Sequence, residues 1–128
     1  MIFSMITETQ NRFMSSSLEE TFKDFPLYSQ DNRKRNAICL MLFTLGNIRW
    51  YILEGEKTNN DFTLYGIVVG LCETEYGYIS LNELSQVSID ANRIGLGKLY
   101  VEQDLNFKPC AIGEIQDKEL QSFLSSLY

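Results

Sequence analysis

The chain has 128 residues, 45% of them hydrophobic and 22% charged, which suits a single folded domain with one core and argues against wholesale disorder. Its formal net charge is −6, and residues 58–128 hold ten acids against four bases. Non-specific nucleic-acid binding depends on Lys and Arg along the contact, so the acidic balance argues against direct nucleic-acid binding.

The chain contains no histidine. This excludes Ser-His-Asp and Cys-His nucleophile pairs, the His-Glu-x-x-His zinc site and the usual general base near neutral pH. A phosphate-binding Gly-x-x-x-x-Gly-Lys loop is also missing from the sequence. We therefore predict no catalytic residue, no metal site and no cofactor.

Three cysteines, Cys39, Cys72 and Cys110, are spaced too widely for a Cys-x-x-Cys motif. Cys39 and Cys72 stand in apolar runs, which predicts buried thiols, whereas Cys110 follows a proline and is expected to be exposed. Free thiols fit a reducing compartment. Since no secretory signal and no apolar run of about 20 residues is present, we expect a cytoplasmic protein without membrane contact.

The N-terminal third predicts a helix followed by a buried strand. Residues 1–14 have no clear period and are expected to be a flexible segment or a first helical turn. Ser17 and Glu20 match a capping box, and Pro26 ends the helix that they open. The apolar run 37–43 predicts a strand covered on both faces.

The middle of the chain predicts three more strands, at 48–53, 62–69 and 77–79, joined by turn-length connections. Because parallel crossovers need a dozen or more residues, this arrangement favours an antiparallel meander.

The last third begins with a second capping box, Ser80 and Glu83, which opens a short helix. Residues 88–98 are expected to be a loop and residues 99–102 a strand. Asp117 then caps a C-terminal helix. We therefore predict one α+β domain spanning residues 1–128, with an antiparallel meander of four to five strands and with the N- and C-terminal helices packed on one face.

Carboxylates and tyrosines at the strand ends are the candidate partner-binding residues: Glu75, Tyr76, Tyr78, Glu83, Glu102 and Asp104. Tyr and Trp concentrate binding energy at interfaces, although tyrosines on a sheet also pack as core. The same acids, together with Glu54 and Asp61, suit Mg²⁺ or Ca²⁺ and acid–base chemistry. A carboxylate-based, divalent-metal-dependent enzyme is therefore an alternative, although the spacing of these acids matches no ion-binding loop.

The basic cluster Arg33, Lys34 and Arg35 is the one place suited to contact with phosphate or with an acidic partner. A solvated loop before the first strand is the interpretation that the pattern favours. A nucleic-acid accessory protein using this cluster is a further alternative.

Several spaced motifs in the centre of the chain resemble a bacterial family, the domain of unknown function numbered 2958. The motifs are Pro26-Leu27-Tyr28, Trp50-Tyr51-x-x-Glu54, Phe62-x-Leu64-Tyr65-Gly66, Glu75-x-Gly77-Tyr78-x-Ser80-Leu81-x-Glu83-Leu84 and Glu102-x-Asp104-Leu105-x-Phe107. Gln103 departs from the pattern, since relatives tend to carry Arg between the two acids. The resemblance implies a setting in plasmids and conjugative elements and no particular activity.

Acidic charge, absent catalytic groups and this resemblance together predict a non-enzymatic accessory protein of a mobile element that binds another protein. An acidic surface attracts a basic groove. The concrete version is an inhibitor of a host nucleic-acid-targeting defence, of the anti-CRISPR or antirestriction type. Oligomeric state is left open.

Overall fold

The computed structural model describes residues 11–128, which form three α-helices and nine strands. The helices are α1 (Ser16–Phe22), α2 (Leu81–Leu84) and α3 (Lys118–Leu127). The strands are β1 (Ile38–Cys39), β2 (Met41–Leu45), β3 (Ile48–Thr58), β4 (Asp61–Val69), β5 (Glu75–Ser80), β6 (Ser88–Asp90), β7 (Lys98–Tyr100), β8 (Glu102–Gln103) and β9 (Cys110–Ala111).

Five strands form the central antiparallel sheet in the order β5-β4-β3-β2-β8. Strands β2 to β5 follow one another along the chain as neighbours, which confirms the predicted meander and the α+β class. Two short ribbons, β1 with β9 and β6 with β7, flank it.

The sheet is apolar on both sides, and each side is covered by a different helix. Along β3, Trp50 and Ile52 pack with α1, whereas Tyr51 and Leu53 pack with α3. We call these sides the α1 face and the α3 face. The prediction that both terminal helices pack on one face was wrong. A strand that is apolar at successive positions exposes apolar surface on both sides, so each side requires its own cover.

Three predicted boundaries were wrong in detail. The run 37–43 is divided at Leu40, because β1 pairs with β9 while β2 turns to pair with β3 and β8. The expected loop 88–98 contains β6, paired with β7 across the turn at 92–97. The expected strand 99–102 is divided between β7 and β8.

Two of the three predicted helix caps are confirmed. The Ser80 hydroxyl accepts from the Glu83 N–H at 3.1 Å, and Asp117 accepts from the Leu120 N–H at 3.2 Å. The box at Ser17 was wrong. The observed N-cap position is Ser15, two residues earlier, and the Ser17 hydroxyl is 2.8 Å from the Ser15 hydroxyl.

The cysteines agree with expectation at one position only. Cys39 is fully buried as predicted, but Cys72 is exposed because it lies in the turn after β4 rather than inside the strand. Cys110 was expected to be exposed and is partly covered. It lies in β9, where its backbone is opposite that of Cys39 in β1, and both thiols are free.

The predicted flexible segment, residues 1–14, lies largely outside the described residues. Of its last four residues, Phe13 packs against Phe43 with ring centroids 4.9 Å apart. The C-terminal part of that segment is therefore attached to the α1 face.

Candidate functional site

Tyrosines from two neighbouring strands meet on the α3 face. Tyr65 of β4 is directly opposite Tyr78 of β5, and Tyr76 is opposite Ile67. Side chains two residues apart on a strand share a face, so Tyr76 and Tyr78 both lie beside Tyr65. The ring centroids of Tyr65 are 5.7 Å from Tyr76 and 4.9 Å from Tyr78.

Two more tyrosines extend this group from outside the sheet. Tyr28, in the loop before β1, lies with its ring centroid 6.3 Å from that of Tyr78. Tyr128, at the end of α3, has its hydroxyl 3.0 Å from the Tyr76 hydroxyl. We call these five residues the tyrosine surface: Tyr28, Tyr65, Tyr76, Tyr78 and Tyr128.

Much of the tyrosine surface is in contact with solvent. Tyr28, Tyr78 and Tyr128 are 63%, 56% and 47% exposed, while Tyr65 and Tyr76 are half-buried beneath them. Large aromatic side chains left exposed side by side are typical of binding surfaces, where they contribute contact area with few rotatable bonds.

Tyr28 is held in an unfavourable backbone conformation. Its φ is +75°, in the left-handed region that non-glycine residues rarely adopt. Its N–H donates to Glu54 Oε1 at 2.7 Å, and the Gln30 N–H donates to Glu54 Oε2 at 2.8 Å. Glu54 is only 2% exposed. A buried carboxylate thus fixes the loop in the conformation that presents the Tyr28 ring, and such strain concentrates at functional sites.

A bulge in β3 brings Glu54 to this position. The β3–β4 register shifts between Ile52 and Glu54, so that Glu54 lies opposite Tyr65 and not on the α1 face. Without the bulge, strict alternation would turn its carboxylate to the other side of the sheet.

Gln30 completes the attachment of the loop. Its side-chain amide donates to the carbonyls of Ile38 at 2.9 Å and Leu53 at 2.7 Å, and its oxygen accepts from the Ile38 N–H at 2.7 Å. Every polar atom of this 4%-exposed side chain is engaged. The loop is therefore locked to β1 and β3, which lowers the ordering cost of binding through Tyr28.

Two hydroxyl groups of this surface, those of Tyr76 and Tyr78, are held in their neutral form by raised pKa values. Burial, followed by the hydrogen bond to Tyr128, raises the pKa of Tyr76. The neighbouring Tyr28 hydroxyl is the main reason that the pKa of Tyr78 rises to about 12. Neutral phenols can both donate and accept hydrogen bonds at physiological pH.

The six predicted partner-binding residues do not form one patch. Glu75, Tyr76 and Tyr78 lie together on β5, with Glu83 just beyond its end in α2. Glu102 is the first residue of β8, at the opposite edge of the sheet. Four strand spacings separate the two edges, or about 19 Å.

Asp104 also lies at that far edge and has a local role. Its N–H donates to the Leu42 carbonyl at 2.9 Å, and its carboxylate accepts from the Asn106 N–H at 2.9 Å. It therefore closes a turn after β8. Across residues 11–128 no three Cys, Asp or Glu side chains converge in a way that could hold a metal ion. The carboxylate set on which the metal-enzyme alternative depended is dispersed over the sheet.

The basic cluster follows directly after the Glu54-anchored loop. Arg33 and Lys34 are exposed, whereas Arg35 is half-buried and donates to the Ser125 hydroxyl at 3.1 Å. Arg35 thus joins the loop to α3, and two cations remain on the surface at this point.

Tyr28, Tyr65 and Tyr128 were not predicted as partner-binding residues, and the anchor Glu54 was predicted only as one of the candidate carboxylates. One signal in the sequence points to Glu54: an acid that follows an apolar strand covered on both faces must find hydrogen-bond donors. No comparable local signal identifies Tyr28, because its neighbourhood is created by the fold.

Comparison with protein-family models, with curated proteins and with solved structures found no match. The resemblance to the domain of unknown function 2958 family therefore stays a prediction. Among the described residues, none of the helices is long and apolar enough to cross a membrane.

Proposed function

We propose that this protein acts by binding another protein through the tyrosine surface. The observation that carries the proposal is Tyr28, which is exposed, strained and held in place by the buried Glu54. Burying a side chain of this size beside Tyr78 would remove a large apolar area from water while its hydroxyl keeps a polar partner.

Charge indicates the kind of partner. Residues 58–92, which include β4 and β5, contain five acids and neither Lys nor Arg. A partner with a basic surface would approach faster and orient better against the β4–β5 edge of the sheet, where three of these acids, Asp61, Glu73 and Glu75, lie. The narrower form of the proposal is that the partner is a nucleic-acid-targeting defence complex of the host, whose basic groove the protein occupies in the manner of an anti-CRISPR or antirestriction inhibitor.

The test is a binding titration of purified host nuclease and restriction complexes against the intact chain. The double variant Tyr28→Ala/Tyr78→Ala should lose about 30-fold or more in affinity, because central aromatic anchors typically contribute at least 2 kcal/mol. The matched control is Tyr100→Ala, which removes another exposed tyrosine (47%) from the β6–β7 ribbon.

Equal affinity for the wild type and the double variant would contradict the proposal. Binding by the wild type that does not weaken as ionic strength rises would contradict the charge-driven form alone.

A further inference from the structure

Strand β5 is an unprotected edge of the central sheet. It is the outermost strand, pairs with β4 in regular register and contains neither Lys nor Pro. Within residues 11–128, the backbone of residues 75–79 makes no hydrogen bond other than those of the β4 ladder. Natural proteins usually block such an edge with charge, proline or a bulge. The opposite edge is blunted, because β8 has only two residues.

The alternation of the ladder shows which backbone groups face outward. The two-residue turn at Gly46 and Asn47 makes Leu45 and Ile48 a hydrogen-bonded pair, so every second residue of β2 turns away from β3. The bond from the Asp104 N–H to the Leu42 carbonyl agrees with this phase.

Carried across the sheet, the same alternation directs Tyr51 toward β4 and Gly66 toward β5. Gly77, opposite Gly66, then faces β4, and the N–H and C=O groups of Tyr76 and Tyr78 face the free edge. On β5, the two residues whose rings belong to the tyrosine surface, Tyr76 and Tyr78, are thus the residues whose backbone is open to a further strand.

We propose that β5 receives an extended, basic segment of the partner as a sixth strand of the sheet. This inference rests on the proposed function and names the chemistry of the partner. Added strands bind through main-chain hydrogen bonds and gain specificity from alternate side chains. Lys or Arg side chains on the α3 face would lie against the rings of Tyr76 and Tyr78, a favourable cation–π arrangement, and a basic side chain on the opposite face would lie near Glu75.

A second copy of the chain is a poorer occupant of the same edge. Antiparallel pairing of two β5 strands would bring two copies of the β4–β5 edge together, and residues 61–80 have three acids and no base to neutralise them. Like charges brought together without a neutralising base repel each other.

The experiment selects short random peptides on the intact chain and follows backbone amide exchange by NMR with the tightest peptide bound. We expect Lys or Arg to be enriched at alternate positions of the selected peptides. Exchange of the Tyr76 and Tyr78 amides should slow by about tenfold or more, while the Gly77 and Ile79 amides, already bonded to β4, change little.

Two variants distinguish the contribution of the Tyr78 backbone to peptide affinity from the contribution of its ring. Tyr78→Ala removes the ring and keeps the N–H, whereas Tyr78→Pro removes both and leaves the β4 ladder intact. Peptide affinity of the proline variant should be about fivefold to tenfold lower than that of the alanine variant. The amide-exchange result needs only the wild-type chain and decides the question if the proline variant does not fold.

Three results would overturn the inference: no peptide that protects the Tyr76 and Tyr78 amides, equal affinities of the two variants, or a concentration-dependent dimer that Tyr78→Pro abolishes. In the first two cases the tyrosine surface could still bind a partner through its rings alone. The proposed function itself fails only if the Tyr28→Ala/Tyr78→Ala variant binds as the wild type does.

Discussion

Replacing Glu54 by Gln would test whether a buried carboxylate holds the Tyr28 loop in place. The wild-type carboxylate accepts from two N–H groups, of Tyr28 at 2.7 Å and of Gln30 at 2.8 Å. A Gln side chain keeps one acceptor oxygen but points an NH₂ group at the other donor. Losing one charge-assisted hydrogen bond and leaving a buried donor unsatisfied should cost about 2–4 kcal/mol.

That loss is a large part of the total stability of a domain, which is about 5–15 kcal/mol. With a urea dependence of about 2 kcal/mol per molar, the unfolding midpoint of Glu54→Gln should fall by about 1–2 M. The Tyr28 amide should also exchange faster with solvent, because the carboxamide holds the loop less tightly against a backbone strain of about 1–3 kcal/mol.

The matched control is Glu56→Gln, which changes an exposed glutamate two residues further along β3. Exposed substitutions of this kind shift stability by about 0.5 kcal/mol or less. If Glu54→Gln unfolds at the same urea concentration as Glu56→Gln, the loop is not held by this carboxylate, and the argument that Tyr28 is presented for binding loses its basis.

Three further predictions concern ionisable groups. Burial by itself would raise the pKa of Asp117, but the hydrogen bonds that its carboxylate accepts lower that pKa below the ordinary 3.8. The stability that ionised Asp117 contributes to the fold is therefore complete above pH 3.8 and is lost as pH falls through the pKa of the folded state. Asp117→Asn should therefore lower stability by about 1–2 kcal/mol at neutral pH, and the gap to wild type in urea midpoints should close in acid. A maleimide reagent followed by mass spectrometry should label the exposed Cys72 about a hundredfold faster than Cys39, whose pKa is raised by burial; equal rates would contradict the described packing. In Tyr28→Phe the pKa of Tyr78 should fall from about 12 toward 10, as followed by carbon-13 NMR of the ring; an unchanged value would show that the Tyr28 hydroxyl is not its cause.

Local features of the sequence predict much of the architecture. Apolar runs separated by short turns are sufficient to predict strands β2, β3 and β4, because a chain reversal of two residues permits only antiparallel pairing. The caps at Ser80 and Asp117 are equally local, since each bond spans three residues. The α1 cap at Ser17 failed because three adjacent serines offer several starting points of similar quality.

The candidate site is only half visible in the sequence. Tyr76 and Tyr78 are recognisable as aromatic residues two apart on a strand, and the structure places both on the tyrosine surface. Glu102 and Asp104 were predicted to belong to the same site, but they lie at the far edge of the sheet. The order of strands in the sheet does not follow their order in the chain. The bulge that turns Glu54 toward Tyr65 has no signature in residue type.

The sequence by itself determined the absence of imidazole chemistry, the acidic balance of the second half and the positions of the main strands. Each of these depends on composition or on contacts between near neighbours. Only the tertiary structure decided that the terminal helices cover opposite faces, that Tyr28 lies beside Tyr78 across 50 residues of chain, and that β5 is left at an edge. These arrangements depend on which helices and strands, far apart in the sequence, bury their apolar surfaces against each other. No short stretch of residues encodes that choice.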